Sequence, residues 1–155
     1  MSESTGRLPA LPVTFRPART RAVLHAAGIA LFVAVSLIGL LLKQLGPGER
    51  ISFVFTAALL AGVLFLLARP KVVADEDGVT VVNIVGRRRL EWAQILRVNL
   101  RPGDPWVFLD LSDGTSMPVL GIQPGIAKAR AVDDARTLRA LAEDRSTAGP
   151  GTVRD

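Results

Sequence analysis

The sequence predicts an α+β protein: a two-helix transmembrane hairpin followed by a small domain of about six short strands and a C-terminal amphipathic helix. Two observations carry this. Residues 22–42 and 51–68 are apolar runs without Asp, Glu, Lys or Arg, each close to the ~20 residues that a helix needs to cross ~30 Å of hydrocarbon. After Pro70 the apolar period changes from helical to alternating, and it returns to helical near residue 126.

The first run reads AVLHAAGIALFVAVSLIGLLL and the second ISFVFTAALLAGVLFLLA. Only residues 43–50 separate them, and these include Gly46, Pro47 and Gly48. A connection this short makes the helices antiparallel neighbours. His25 is the only histidine and the only ionisable side chain within either run. No carboxylate lies in either span to relay a proton to it, and it sits one turn from Arg21, at headgroup depth. Ala26, Ala30 and Ala34 align on the first helix, and Ala58 and Gly62 on the second. Such faces let backbones approach closely in lipid. They are expected to pack within the hairpin, with a dimer interface as the alternative. Ser36, Ser52 and Thr56 are expected to bond back to their own helix backbone.

The net charge of +5 is unevenly placed. Residues 1–21 hold Arg7, Arg16, Arg19 and Arg21 against Glu3, and residues 43–50 hold Lys43 and Arg50 against Glu49. From residue 69 onward, 13 basic groups face 12 acidic ones. The pI of 10.9 is therefore no argument for nucleic acid. Basic residues near helix ends stay on the cytoplasmic side. The tail and the segment with Arg69 and Lys71 hold more of them than the loop, so both termini are expected in the cytoplasm, in the plasma membrane. The first run is long for the apolar core of a signal peptide, and a second span follows at once.

The expected organisation is a tail over residues 1–20, the hairpin over 21–69, a folded domain over 71–145 and a disordered tail over 146–155. About 75 residues is near the lower limit for a self-sufficient core. Residues 71–75 and 79–85 read as strands around a turn at Glu76, Asp77 and Gly78. A third starts at Leu90. In residues 95–101, Leu96, Val98 and Leu100 alternate with Arg97, Asn99 and Arg101, so the leucines and Val98 are expected on the buried face. Ser112, Asp113 and Gly114 turn residues 106–111 into residues 115–120. Ile126, Ala129, Val132, Ala135, Leu138 and Leu141 then mark a helix to about Asp144, with Arg130–Asp134 and Asp133–Arg136 as surface pairs. Trp92 and Trp106 are both expected to be buried.

Two spans, short strands and a final helix resemble the bacterial pleckstrin-homology-like membrane proteins. Residues 71–78, the stretch RRRLEWAQI from Arg87 and the stretch LDLSDG from Leu109 are similar to the actinobacterial group named for low molecular weight protein antigen 6. The resemblance covers roughly residues 12–143. It implies a split β-barrel capped by a helix, with Trp92 and Ile95 opening the central strands. It implies no particular activity. Eukaryotic pleckstrin-homology domains that bind phosphoinositides carry basic residues in the first strand and the loop after it. Here that place holds Val72, Val73, Ala74, Asp75, Glu76 and Asp77, so any lipid contact is expected to be nonspecific and salt-sensitive.

No catalytic pattern is present: no HExxH, P-loop, GxSxG or GxGxxG, and no cysteine. The chain is therefore expected to be neither an enzyme nor a holder of a cofactor or metal. The carboxylates Asp75, Glu76 and Asp77 fit turn chemistry better than acid–base chemistry. Arg87, Arg88 and Arg89, in or beside a turn, with Arg97 and Arg101 nearby, form the candidate headgroup contact, because guanidinium pairs bidentately with phosphate. The expected role is a membrane-anchored interaction module for a protein partner, and for anionic lipid. The competing role is a small oligomeric transporter or channel subunit working through the hairpin.

Overall fold

The structure is a computed structural model, and it describes residues 8–147. The chain divides into two compact units: the helical hairpin from Ala18 to Arg69, and a second unit made from the residues before and after it.

In the hairpin, α1 spans Ala18–Leu41 and α2 spans Pro47–Leu67. Both start a turn before their apolar runs. Pro47 is at the first position of α2, where its missing N–H is no loss, and the Gly46 N–H donates to the Glu49 carboxylate at 2.8 Å. The helices meet at Gly28 and Gly39 of α1 and at Ala57 and Ala61 of α2, all buried. A Cβ at Gly28 would meet the Phe65 ring, and one at Gly39 would meet Phe53. His25 stacks on Phe65 at 5.3 Å, and its Nδ1 lies 2.7 Å from the Arg21 carbonyl oxygen. The expected small-residue faces are thus not the contact. Ala26, Ala30, Ala34, Ala58 and Gly62 are exposed. A helix turns 100° per residue, so the faces that touch lie one or two positions away. Ser52 does bond back, donating to the Gly48 carbonyl at 3.1 Å. Both helices are long and apolar enough to cross a membrane.

Among the described residues the second unit holds seven strands, not six. The additional one, β1 (Val13–Phe15), comes from the segment before α1. Three residues give too little alternation to be read as a strand, and the basic neighbours read as a charged tail. The others are β2 (Lys71–Ala74), β3 (Gly78–Val82), β4 (Arg87–Glu91), β5 (Ile95–Asn99), β6 (Val107–Leu111) and β7 (Ser116–Val119). They form an antiparallel four-stranded sheet in the order β1-β2-β3-β4 and an antiparallel three-stranded sheet in the order β5-β6-β7. A single turn of 3₁₀ helix, Trp92–Gln94, carries the chain from one sheet to the other.

One core joins both sheets and α3 (Lys128–Thr147). Val72, Val79 and Leu90 fill it from the first sheet, Val98, Leu109 and Val119 from the second, and Leu138 and Leu141 from the helix. Phe15 of β1 is also inside. Glycine is required at Gly78 by close approach, since a Cβ there would run into the Leu90 backbone. Asn83, in the β3–β4 turn, links the sheets. Its amide donates to the Pro118 carbonyl at 2.8 Å, and its carbonyl accepts from the Leu120 N–H at 3.1 Å. Asn83→Ala leaves both backbone groups unpaired in half-buried surroundings, and is expected to cost about 1–3 kcal/mol in a denaturant melt of the domain.

Five sequence expectations need correction here. The buried stripe of α3 is Ala131, Ala135, Leu138, Leu141 and Ala142, while Ile126 and Ala129 are exposed. A strict three-residue spacing drifts off a 3.6-residue helix, so only its later members fall on the core face. The helix also runs to Thr147, into the stretch expected to be disordered; the rest of that tail lies outside the described residues. Of the two surface pairs, Asp133–Arg136 forms at 3.6 Å, and no Arg130–Asp134 bridge appears among the described residues. The second strand ends at Val82 rather than Val85, which stands 94% exposed in the turn. Trp92 is 5% exposed, but Trp106 is only half-buried, packed beside Phe108 with ring centroids 6.4 Å apart.

Candidate interaction surface

The arginine run lies beside a turn rather than in it. Arg87, Arg88 and Arg89 are the ladder residues of β4, opposite Val82, Val81 and Thr80 of β3. The turn itself is at Asn83, Ile84, Val85 and Gly86, closed by the Asn83 N–H on the Gly86 carbonyl at 2.8 Å. Strand alternation sends Arg87 and Arg89 to one face and Arg88 to the other.

Two of the three are committed to carboxylates. Arg89 grips Asp75 with both terminal nitrogens, at 2.7 and 2.8 Å, and its Nη1 also donates to the Thr80 hydroxyl at 3.2 Å. Asp75 accepts in addition from the N–H groups of Asp77 and Gly78 at 3.1 and 3.0 Å, an Asx turn that folds β2 into β3. The indole N–H of Trp92 donates to the Asp75 carbonyl at 3.0 Å. Arg88 lies 3.5 Å from Asp113, in the β6–β7 turn. Arg97 is on β5 and Arg101 in the loop after it, where its backbone N–H donates to the Asp104 carboxylate at 2.8 Å. Four of the five sequence candidates thus lie on two different sheets and the fifth, Arg101, in a loop, and the three of the run do not face one way.

The Arg89 hydrogen bond above all holds the Asp75 carboxyl below the usual carboxylate range; burial opposes it, and the weaker bonds from the Asp77 and Gly78 N–H groups add to it. A carboxyl lowered in the folded state contributes stability above its unfolded pKa of ~3.9 and loses it as pH falls through the folded value. An acid titration of the folded domain is therefore expected to show a stability loss below about pH 4 that Asp75→Asn reduces, the remainder coming from Asp113, whose carboxyl is also held low by its Thr115 hydrogen bonds.

A second feature was not legible in the sequence. The ladder between β5 and β6 has an irregularity between Ile95 and Arg97. This shifts the phase of β5: Ile95 and Val98 point into the core, and Leu96 turns out to 64% exposure. Leu96, Arg97 and Asn99 then form one wall of a groove of about 350 Å³, with Arg139, Glu143 and Ser146 of α3 as the other. Arg139 reaches across it. Its Nε and Nη2 donate to the Val98 carbonyl at 3.1 and 2.7 Å. Its only sequence signal is its place beside Leu138, at the border of the apolar stripe. Among the described residues no group of three or more His, Asp or Glu side chains gathers as a metal site would need.

Two small antiparallel sheets sharing a core with a C-terminal helix define a pleckstrin-homology-like domain. The chain belongs to the bacterial PH domain family, whose model matches residues 69–141. It is also similar to uncharacterised proteins of Mycobacterium tuberculosis and Mycobacterium bovis, 33% identical over 135 residues that cover 83% of this chain and 87% of each relative. No solved structure matches it.

Proposed function

We propose that the chain is a membrane-anchored, non-enzymatic interaction module that offers its PH-like domain to a protein partner at the cytoplasmic face of the plasma membrane. The observation that carries this reading is the pairing of β1 with β2, Phe15 opposite Val72. The whole hairpin lies between these two adjacent strands. Strands of one sheet are on one side of a bilayer, so the chain between them crosses an even number of times. Arg16, Arg19, Arg21, Arg69 and Lys71 flank that side and favour the cytoplasm. Only 11% of each apolar window is buried, which suits helices whose solvent is lipid.

A cytoplasmic-only reporter fused after Asp155 is expected to be active, and one inserted at Gly46 silent. The opposite pattern would reverse the orientation. Proximity labelling from the C-terminus in intact cells is expected to mark a reproducible partner that the hairpin alone does not. If the two label sets are the same, the module reading fails.

A narrower lipid reading has its own support. Val85 stands exposed at the β3–β4 tip, and Arg87 next to it has no ion-pair partner among the described residues. A basic group at an anionic surface gains ~1 kcal/mol, so Arg87→Gln is expected to weaken docking to anionic lipid by about that amount, less at high salt.

A further inference from the structure

We propose that the groove between β5 and α3 receives an extended acidic segment of the partner protein, laid along β5 as an added strand. This deepens the module reading and rests on it. β5 is the outer strand of its sheet, with β6 on its other side. A strand edge presents N–H and C=O groups that template another strand. The Val98 carbonyl is one of these: the ladder puts Val98 opposite Leu109, which by strand alternation shares with Leu111 the side that bonds toward β7, and the carbonyl accepts from Arg139 of α3. In an antiparallel ladder a residue that points its carbonyl away from its neighbour points its N–H the same way. Val98 therefore offers both groups to the groove.

Charge and shape select the occupant. Arg97 and Arg139 outnumber Glu143 on the walls, which favours an acidic segment. Leu96, turned outward by the ladder irregularity, gives an apolar side chain something to cover. Arg139 makes the two requirements one. In the free protein its guanidinium occupies the Val98 carbonyl and shields the edge. When a peptide N–H takes that carbonyl, the guanidinium is released, and a carboxylate of the same peptide is a stronger acceptor for it than the neutral carbonyl was. A neutral or basic segment supplies no such replacement.

The test uses the full chain in nanodiscs of zwitterionic lipid, so that no lipid charge competes. The probe is a short fluorescein-labelled peptide of alternating glutamate and valine, followed by anisotropy. It is expected to bind, more weakly as salt rises, while the lysine–valine counterpart does not. Leu96→Asp is expected to weaken it at least ~10-fold, the equivalent of ~1.4 kcal/mol, with the melting temperature unchanged because the side chain is exposed. Arg139→Gln is expected to weaken it similarly. Arg139→Lys, which keeps the charge and a donor for Val98, is expected to retain part of the affinity and so separates lost binding from lost folding. Methylating alternate peptide nitrogens is expected to abolish binding, since a strand pairs through them. Failure of the acidic peptide to bind, equal binding of both peptides, indifference to Leu96→Asp or full affinity after methylation would each overturn the groove assignment. The labelling experiment above decides the module reading separately.

Discussion

Trp92→Ala should cost the domain about 3–5 kcal/mol, a large part of the ~5–15 kcal/mol typical of a whole domain. The indole is 5% exposed and packs in the core shared by both sheets. It sits where the chain crosses between them, and its N–H bonds the Asp75 carbonyl beside the Arg89 ion pair. Truncation thus opens a cavity and unties the β2–β3 turn together. Trp106→Ala is the control: it is half-buried and should cost about half as much. Melts of the two variants, followed by near-ultraviolet circular dichroism of the full chain in detergent, measure the difference. Equal losses would show that Trp92 does not hold the two sheets together.

Phe15→Ala should be nearly as damaging, about 3–5 kcal/mol. The residue precedes the first apolar helix, yet it is 5% exposed within the core of the domain that follows the second. Removing residues 8–17 altogether would also leave β2 as an open edge, so a fragment that starts at Lys71 should aggregate. Joining residues 8–17 to residue 70 by a short flexible linker should restore a soluble domain, because Phe15 and Val72 are already opposite each other. A stable, monomeric fragment from Lys71 onward would show that β1 is dispensable.

These two residues mark how far the sequence could be read. Trp92 is legible: a large aromatic between alternating segments must find a core, and in a small domain there is only one. The two apolar helices, the six later strands and the final helix follow from period and punctuation in the same way. Phe15 is not legible, because its pairing is a long-range event and three residues carry no period. Leu96 misleads for a related reason. Its segment alternates faultlessly, but alternation gives relative phase only, and one irregularity in the ladder reverses which face is inside. The candidate surface suffered most. Three consecutive arginines look like one patch, whereas a strand sends neighbours to opposite faces and two of these three meet carboxylates from distant turns. Arg139, which meets the β5 edge, is one arginine among 16.

The insertion of the hairpin between β1 and β2 also bears on biosynthesis. β1 leaves the ribosome before either helix, and its partner only after both. If the helices lie across a bilayer, the first strand must wait, unpaired, while the membrane segment is threaded. A chain that inserts one helix and leaves the other outside strands β1 on the far side from β2, and the sheet cannot close. Completion of the domain is then a checkpoint on membrane insertion. On that condition only correctly threaded chains bury Phe15, and misthreaded ones keep β2 as an open edge.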